Sequence, residues 1–322
     1  MVKDGLLQPV WYRPGNHPLN EGADSGMPRS RQRLVAAIVA FAVFGGAGAL
    51  VWAALGPGDD PPPPIGEYGA TLYESDAVVL QSTEHGAELC VGVVNDSYPP
   101  QCSGIRISNW NWGLVVGEES ASGTTWGQFH VVGRYDGTEF MVTNAGPYRQ
   151  PPPGDGDPFA APCPEPEGGW IATDPSRATE EHLQMVMRTA EREGDSAGIW
   201  VDYLVPPEMV VEGAVAPNDV LLVAAFTGDL VRHESELRQI WGGPLCVTRH
   251  NRTMKELERI QAEIASEVGD QLGIEKTWSS IDVTANEVEI GVVVADEDVR
   301  EALDERYGPG AVELHPALMR VQ

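Results

Sequence analysis

The chain has 322 residues, and its 48 Asp and Glu outweigh 21 Lys and Arg to leave a formal charge of −27. That balance argues against a nucleic-acid partner, whose phosphates need Lys and Arg, and against a second electrostatic attachment to anionic lipid. Hydrophobic residues make up 42% and charged residues 21%, so the chain has the apolar content to bury a core.

Residues 1–33 mix Pro, Gly, Asn and charge without an apolar period, which predicts a disordered tail. Residues 34–55, LVAAIVAFAVFGGAGALVWAAL, are 22 residues without a charge. At about 1.5 Å per residue such a helix crosses the roughly 30 Å hydrocarbon core of a bilayer, with its backbone groups paired internally. The tail before it carries Lys3, Arg13, Arg29, Arg31 and Arg33 against Asp4, Glu21 and Asp24, a net +2, so residues 56–322 carry −29 (−27 − 2). Cationic flanks stay in the cytoplasm. The expectation is an uncleaved signal anchor and a single-pass membrane protein, with a cytoplasmic N-terminus and an extracytoplasmic bulk. A cleaved signal peptide would have a shorter lead and an apolar core of only about 7–15 residues.

Residues 56–68, with Asp59-Asp60 and Pro61 to Pro64, read as a stiff linker. Residues 69–145 read as an all-β module. Ala87 to Val94 and Trp126 to Arg134 are rich in β-branched and aromatic residues, and Tyr135-Asp136-Gly137-Thr138 supplies an Asp-Gly turn into Glu139 to Thr143. Residues 146–168 form a Pro/Gly linker. Residues 169–322 read as an α+β module. Helices are expected over Thr179 to Arg192, Asp229 to Trp241, the stripe Met254, Leu257, Ile260, Ile264 and Val268 behind the Thr253-x-x-Glu256 capping box, and Asp296 to Tyr307. Strands are expected at Val220 to Phe226, Leu245 to Val247, Ile281 to Thr284, Val288 to Val294 and Ala311 to Leu314. The expected fold class is a membrane-anchored multidomain chain: one transmembrane helix, a small all-β barrel or sandwich, then an α+β module with helices on an antiparallel sheet.

The four cysteines, Cys90, Cys102, Cys163 and Cys246, avoid the apolar span and have no C-x-x-C spacing, which favours disulfides in an oxidising compartment over zinc or redox chemistry. Three pairings are open; Cys90–Cys102 and Cys163–Cys246 are preferred, one closing a local loop and one stapling the centre to the C-terminal part. Tyr98, Trp110, Trp112 and Trp126 lie among polar residues and form a candidate aromatic binding patch for a glycan or peptide; tryptophans in a barrel core would have the same pattern. Gly194-Asp195-Ser196-Ala197-Gly198 resembles the nucleophile turn of chymotrypsin-like proteases, but neither His130 nor His182 has that family's context, and a helix stop explains the motif. His233-Glu234 lacks the second histidine of a zinc-protease helix, and Asp155-Gly156-Asp157 lacks calcium-loop spacing. No catalytic residue, metal or cofactor is expected, and the balance leans against an enzyme.

Leu89-Cys90-Val91-Gly92, Ser97 to Gly104, Asn109-Trp110-Asn111-Trp112, Gly242 to Val247 and Arg306 to Gly310 resemble exported single-pass membrane proteins of actinobacteria. That resemblance implies location and layout, and no activity. The stretch from Ile281-Asp282-Val283 through Val288 to Val294 is similar to pro-regions of secreted bacterial serine proteases, small α+β modules that assist protease folding. The expected function is a non-enzymatic binding or interaction protein of the cell envelope, with an envelope protein or glycan as partner. The alternatives are a protease-associated regulator and an unrecognised hydrolase. A reporter fused at Gln322 is expected to be active only outside the cell, and the mature chain should keep its N-terminus. N-terminal sequencing that begins near residues 54–60 would sink the anchor.

Overall fold

A computed structural model describes residues 71–150, 161–205, 209–210 and 215–321. The expectations for residues 1–33, 34–55 and 56–68 therefore lie outside the described residues, as does Asp155-Gly156-Asp157.

The first part of the chain forms β1 (Tyr73–Ser82), β2 (Ala87–Cys90), β3 (Gly104–Ile107), β4 (Glu119–Ala121), β5 (Thr124–Tyr135) and β6 (Glu139–Pro147). β1 runs antiparallel to β2 and also to β5, β2 is antiparallel to β3, β3 is parallel to β6, and β6 is antiparallel to β5. The ring β1-β2-β3-β6-β5 thus closes on itself, the connectivity of an OB-type Greek-key barrel. The β5–β6 turn is held by Asp136, whose Oδ1 accepts from the backbone N–H groups of Thr138 and Glu139 at 2.8 Å. Alternation along the strands sends Val79, Leu89, Ile105, Phe129, Val131 and Phe140 inward. A 3₁₀ turn at Trp112–Leu114, capped by the Asn111 side chain, sets Trp110 and Trp112 against this core.

The rest of the chain is one motif used twice. The first unit is α1 (Glu180–Glu191), β7 (Ser196–Tyr203), β8 (Val220–Phe226), α2 (Leu230–Ile240) and β9 (Leu245–Arg249). The second is α3 (Met254–Ile264), a short α4 (Glu267–Gln271), β10 (Lys276–Asp282), β11 (Glu287–Val292), α5 (Glu297–Tyr307) and β12 (Val312–Pro316). In each, an antiparallel pair is followed by a helix that returns the third strand parallel to the second. Even the register shift recurs, between Ser196 and Gly198 in β7 and between Lys276 and Trp278 in β10. Side-chain caps start the helices: Thr179, Asp229 and Thr253 each accept from backbone N–H groups of the first turn. Each sheet buries one face under its helices, Leu222, Ala224 and Phe226 against Val186, Leu237 and Trp241 in the first unit, and Val288, Ile290 and Val292 against Leu257, Ile260 and Leu303 in the second.

The units meet at Asn286, in the β10–β11 turn at φ 61°, a left-handed conformation that Asn tolerates. Its buried amide donates to the carbonyls of Ala197 (3.3 Å) and Arg252 (2.9 Å), and its Oδ1 accepts from Arg252 N–H (2.9 Å). Gly198, at φ 144°, lies where a Cβ would come 3.2 Å from the Val283 carbonyl. The outer face of the first sheet, with Trp200, Leu221, Val223 and Cys246, is covered by a strap that includes Ala161, Cys163 and Trp170. The bridge Cys163–Cys246 (Cα–Cα 5.9 Å) pins the strap down, and Cys90–Cys102 (5.8 Å) closes the loop between β2 and β3. The chain end then returns to its start: β13 (Met319–Arg320) pairs with Tyr73 and Glu74 of β1.

These observations correct the expected fold class. The described residues are mostly β-sheet, in three sheets, with few helices. The helices do not lie on one antiparallel sheet, because each return helix makes its sheet mixed. The β-sheet of the first part is not self-contained, because it recruits β13. No helix among the described residues is long and apolar enough to cross a membrane.

Two outcomes follow. Asn286→Ala leaves buried backbone groups of Ala197 and Arg252 without a partner and should cost about 2 kcal/mol in chemical denaturation. In the chain-entropy model, Cys163→Ser/Cys246→Ser should cost about 4.5 kcal/mol and Cys90→Ser/Cys102→Ser about 3, the longer loop carrying more.

Candidate functional site

The short Cys90–Cys102 loop folds tightly. Asn95 N–H donates to the Gln101 carbonyl at 2.8 Å, and Ser97 Oγ donates to the Pro99 carbonyl at 2.8 Å. This geometry carries Tyr98 out over the barrel wall, where it remains 75% exposed. Its ring stands edge-on to Trp126 at 5.3 Å and 88°. Trp126 lies on the outside of β5 against Leu80 and Cys90, and is nearly buried. The two rings form one wall of a groove of roughly 700 Å³, lined also by Val94, Asn95, Glu119, Gln128 and Tyr148. Its lining includes Asp96 and no Lys or Arg. Beside it in sequence, Val93 and Val116 are exposed, so apolar surface continues past the rim.

The four aromatic residues singled out in the sequence therefore fall into two pairs on opposite sides of the barrel wall. Tyr98 and Trp126 are outside. Trp110 and Trp112 pack against each other (5.4 Å) and against inward-facing Phe129, and Trp112 Nε1 donates to Gln81 at 2.7 Å. The alternation of β5 separates them: Trp126 and Phe129 differ by an odd number of residues, so they point to opposite faces. Tyr148, Glu119 and Gln128 carried no sequence signal as site residues, because the groove is assembled across strands.

Two polar networks set a histidine against carboxylates. His130 sits between Asp76 (3.1 Å) and Glu74 (3.7 Å), and Arg149 donates to both carboxylates, anchoring the chain just after β6. Burial alone would raise the Asp76 pKa, but hydrogen bonds from Arg149 and His130 outweigh it and hold the carboxyl below its ordinary value. His233 is only 1% exposed, stacks on Phe226 at 3.7 Å and 5°, and shares a 2.9 Å hydrogen bond with Asp195. Glu193, His233 and Glu236 bring their ligand atoms within 4.8 Å of one another, a spacing that could hold a metal. Arg232, however, already reaches Glu236 at 2.8 Å, Glu193 at 3.4 Å and His233 Nε2 at 2.9 Å. A fixed guanidinium occupies the position where a cation would bind, so the cluster is an ion-pair network. Sequence reasoning missed it because its partners lie 38 residues apart.

Ser196 is not at a helix end. α1 stops at Glu191 with Arg192 as cap, and Ser196 opens β7 as a buried residue. Its neighbour Asp195 is committed to His233, and His130 and His182 are bonded elsewhere, His130 to Asp76 and His182 to Thr179. Among the described residues, no hydrogen bond joins a histidine to Ser196. That geometry lacks the base that a serine nucleophile needs. No family model matches the chain, and no curated protein matches it.

The lowered carboxylates set an acid limit. The His233 hydrogen bond, against burial, holds the Asp195 pKa down, and Asp282 is held down because Thr284 and Ala285 donors outweigh burial. Stability from such groups is full above the unfolded carboxylate pKa near 4 and is lost as pH falls through the lower folded value. Thermal melts should therefore fall as pH drops below about 4. Asp195→Asn should lower Tm at neutral pH and flatten that acid slope; an unchanged slope would show that Asp195 does not contribute.

Proposed function

We propose that this is a non-enzymatic binding protein of the cell envelope that engages its partner in the Tyr98–Trp126 groove. The observation that carries this reading is a large aromatic side chain held three-quarters exposed, against a second ring, by a disulfide-closed loop. Exposing apolar surface in one contiguous place is unusual for a surface without a partner, and aromatic anchors dominate binding energy at interfaces. The two bridges fit an oxidising, extracytoplasmic compartment. Attachment at the cell membrane through the apolar run 34–55 is part of the same proposal and rests on the sequence alone.

Full-length protein in detergent, used as bait on solubilised envelope, tests this. Tyr98→Ala keeps the loop's backbone bonds and should reduce capture of the principal partner at least tenfold, about 1.4 kcal/mol. Capture that does not depend on Tyr98 would place the binding surface elsewhere. If the captured protein were an exported protease, held independently of Tyr98, the protease-associated reading would replace this one.

A further inference from the structure

The two αββαβ units have the same topology and opposite outer faces. Superposing their registers places Leu221 where the second unit has Glu287, Val223 where it has Glu289, and Cys246 where it has Glu313. In the first unit these positions are apolar, buried and covered by the Cys163 strap. In the second they are carboxylates, and Asp282 and Glu287 pair across the hairpin on the same side. At one end of this face Trp278 lies flat across Gly291, where a Cβ would collide with the indole, and stacks on His315 at 5.4 Å. The opposite face of the sheet is filled by α3 and α5, whereas on this one the Glu313 and His315 side chains are 46% and 43% exposed.

We propose that the outer face of β10-β11-β12 is a docking surface for a strap of basic polypeptide from a partner, with Lys or Arg at alternate positions. Charge complementarity argues for that occupant. Glu289 accepts from Ser280 Oγ at 2.7 Å and lies 3.3 Å from His315, and Glu313 lies 3.5 Å from Arg300. Among the described residues no ion pair reaches Glu287. Burial first, then Glu313, Asp282 and Glu289, push its pKa above the ordinary value, with His315 acting in the opposite direction. Same-face positions on a strand recur every 6–7 Å, the repeat with which an extended chain presents alternate side chains. Trp278 adds a ring face for a cation at the end of the row. The first unit supplies the precedent: there the same face is covered by a length of chain with no regular secondary structure.

The test uses full-length protein and a nine-residue peptide with lysine at alternate positions, with a glutamate peptide of equal length as control. The lysine peptide should bind and perturb Trp278 emission, a change absent in Trp278→Phe. Raising NaCl from about 50 to 300 mM should weaken binding by about tenfold. Glu287→Gln/Glu289→Gln/Glu313→Gln should weaken it at least tenfold. Tyr98→Ala should leave peptide affinity unchanged, which separates this surface from the groove. Equal binding of the glutamate peptide, unchanged affinity in the triple variant, calcium alone reproducing the emission change, or self-association abolished by the triple variant would each overturn the proposal. Should the triple variant not fold, amide exchange on the parent decides: peptide-dependent protection in β10 to β12 supports the surface, and none there refutes it.

Discussion

Both edges of β1 are occupied, and the architecture depends on that strand. One edge carries the full run of β5, from Tyr73 opposite Gly133 to Ser82 opposite Thr124. The other is shared, β2 taking Val79 to Gln81 and β13 taking Tyr73 and Glu74. A buried strand with unpaired backbone groups would be costly, and an exposed edge would invite association. Because β13 pairs with the start of β1, the chain that leaves the barrel after β6 is constrained to return to its first strand. Leu318, just before β13, packs into the barrel core with Val293, so hydrogen bonding and apolar burial enforce the same return.

What was legible in the sequence was local. The Asp136-Gly137 turn, the caps at Thr179, Asp229 and Thr253, and the apolar stripe of α3 are each specified by residues within a few positions of one another. The non-local features left little trace. A two-residue strand such as β13 has no period to detect. The Asp195–His233 bond joins a turn to a helix one strand away, and its residue types are unremarkable in either place. The aromatic cluster was visible as composition, but which side of a barrel wall each ring occupies depends on strand phase, and the 3₁₀ turn that carries Trp112 resets that phase.

The recurrence of the motif was hidden for a different reason. Repeats are found by matching residues, and these two units share only the inner, helix-facing positions, where Leu222, Ala224 and Phe226 are replaced by Val288, Ile290 and Val292. Those are interchangeable apolar types that any buried strand would carry. Positions that would distinguish a repeat, on the outer faces, have diverged in polarity. The register shift at Gly198 and Trp278 is the most specific shared feature, and it lies in the backbone.

That divergence has a physical consequence for how the two faces can be used. An apolar outer face must be covered within the folded chain, or it becomes an aggregation surface. In the first unit the strap does this, and the cystine keeps it in place at the cost of making the face permanently internal. A carboxylate face has no such requirement: water solvates it, and it can remain open until a cation arrives. Its cost is the proximity of like charges around Glu287, where Glu313, Asp282 and Glu289 act against ionisation and His315 acts for it. A recurring motif with one sealed and one charged face thus divides two tasks between its two units. The first contributes buried apolar area to stability, and the second keeps an exposed surface whose occupancy is set by charge.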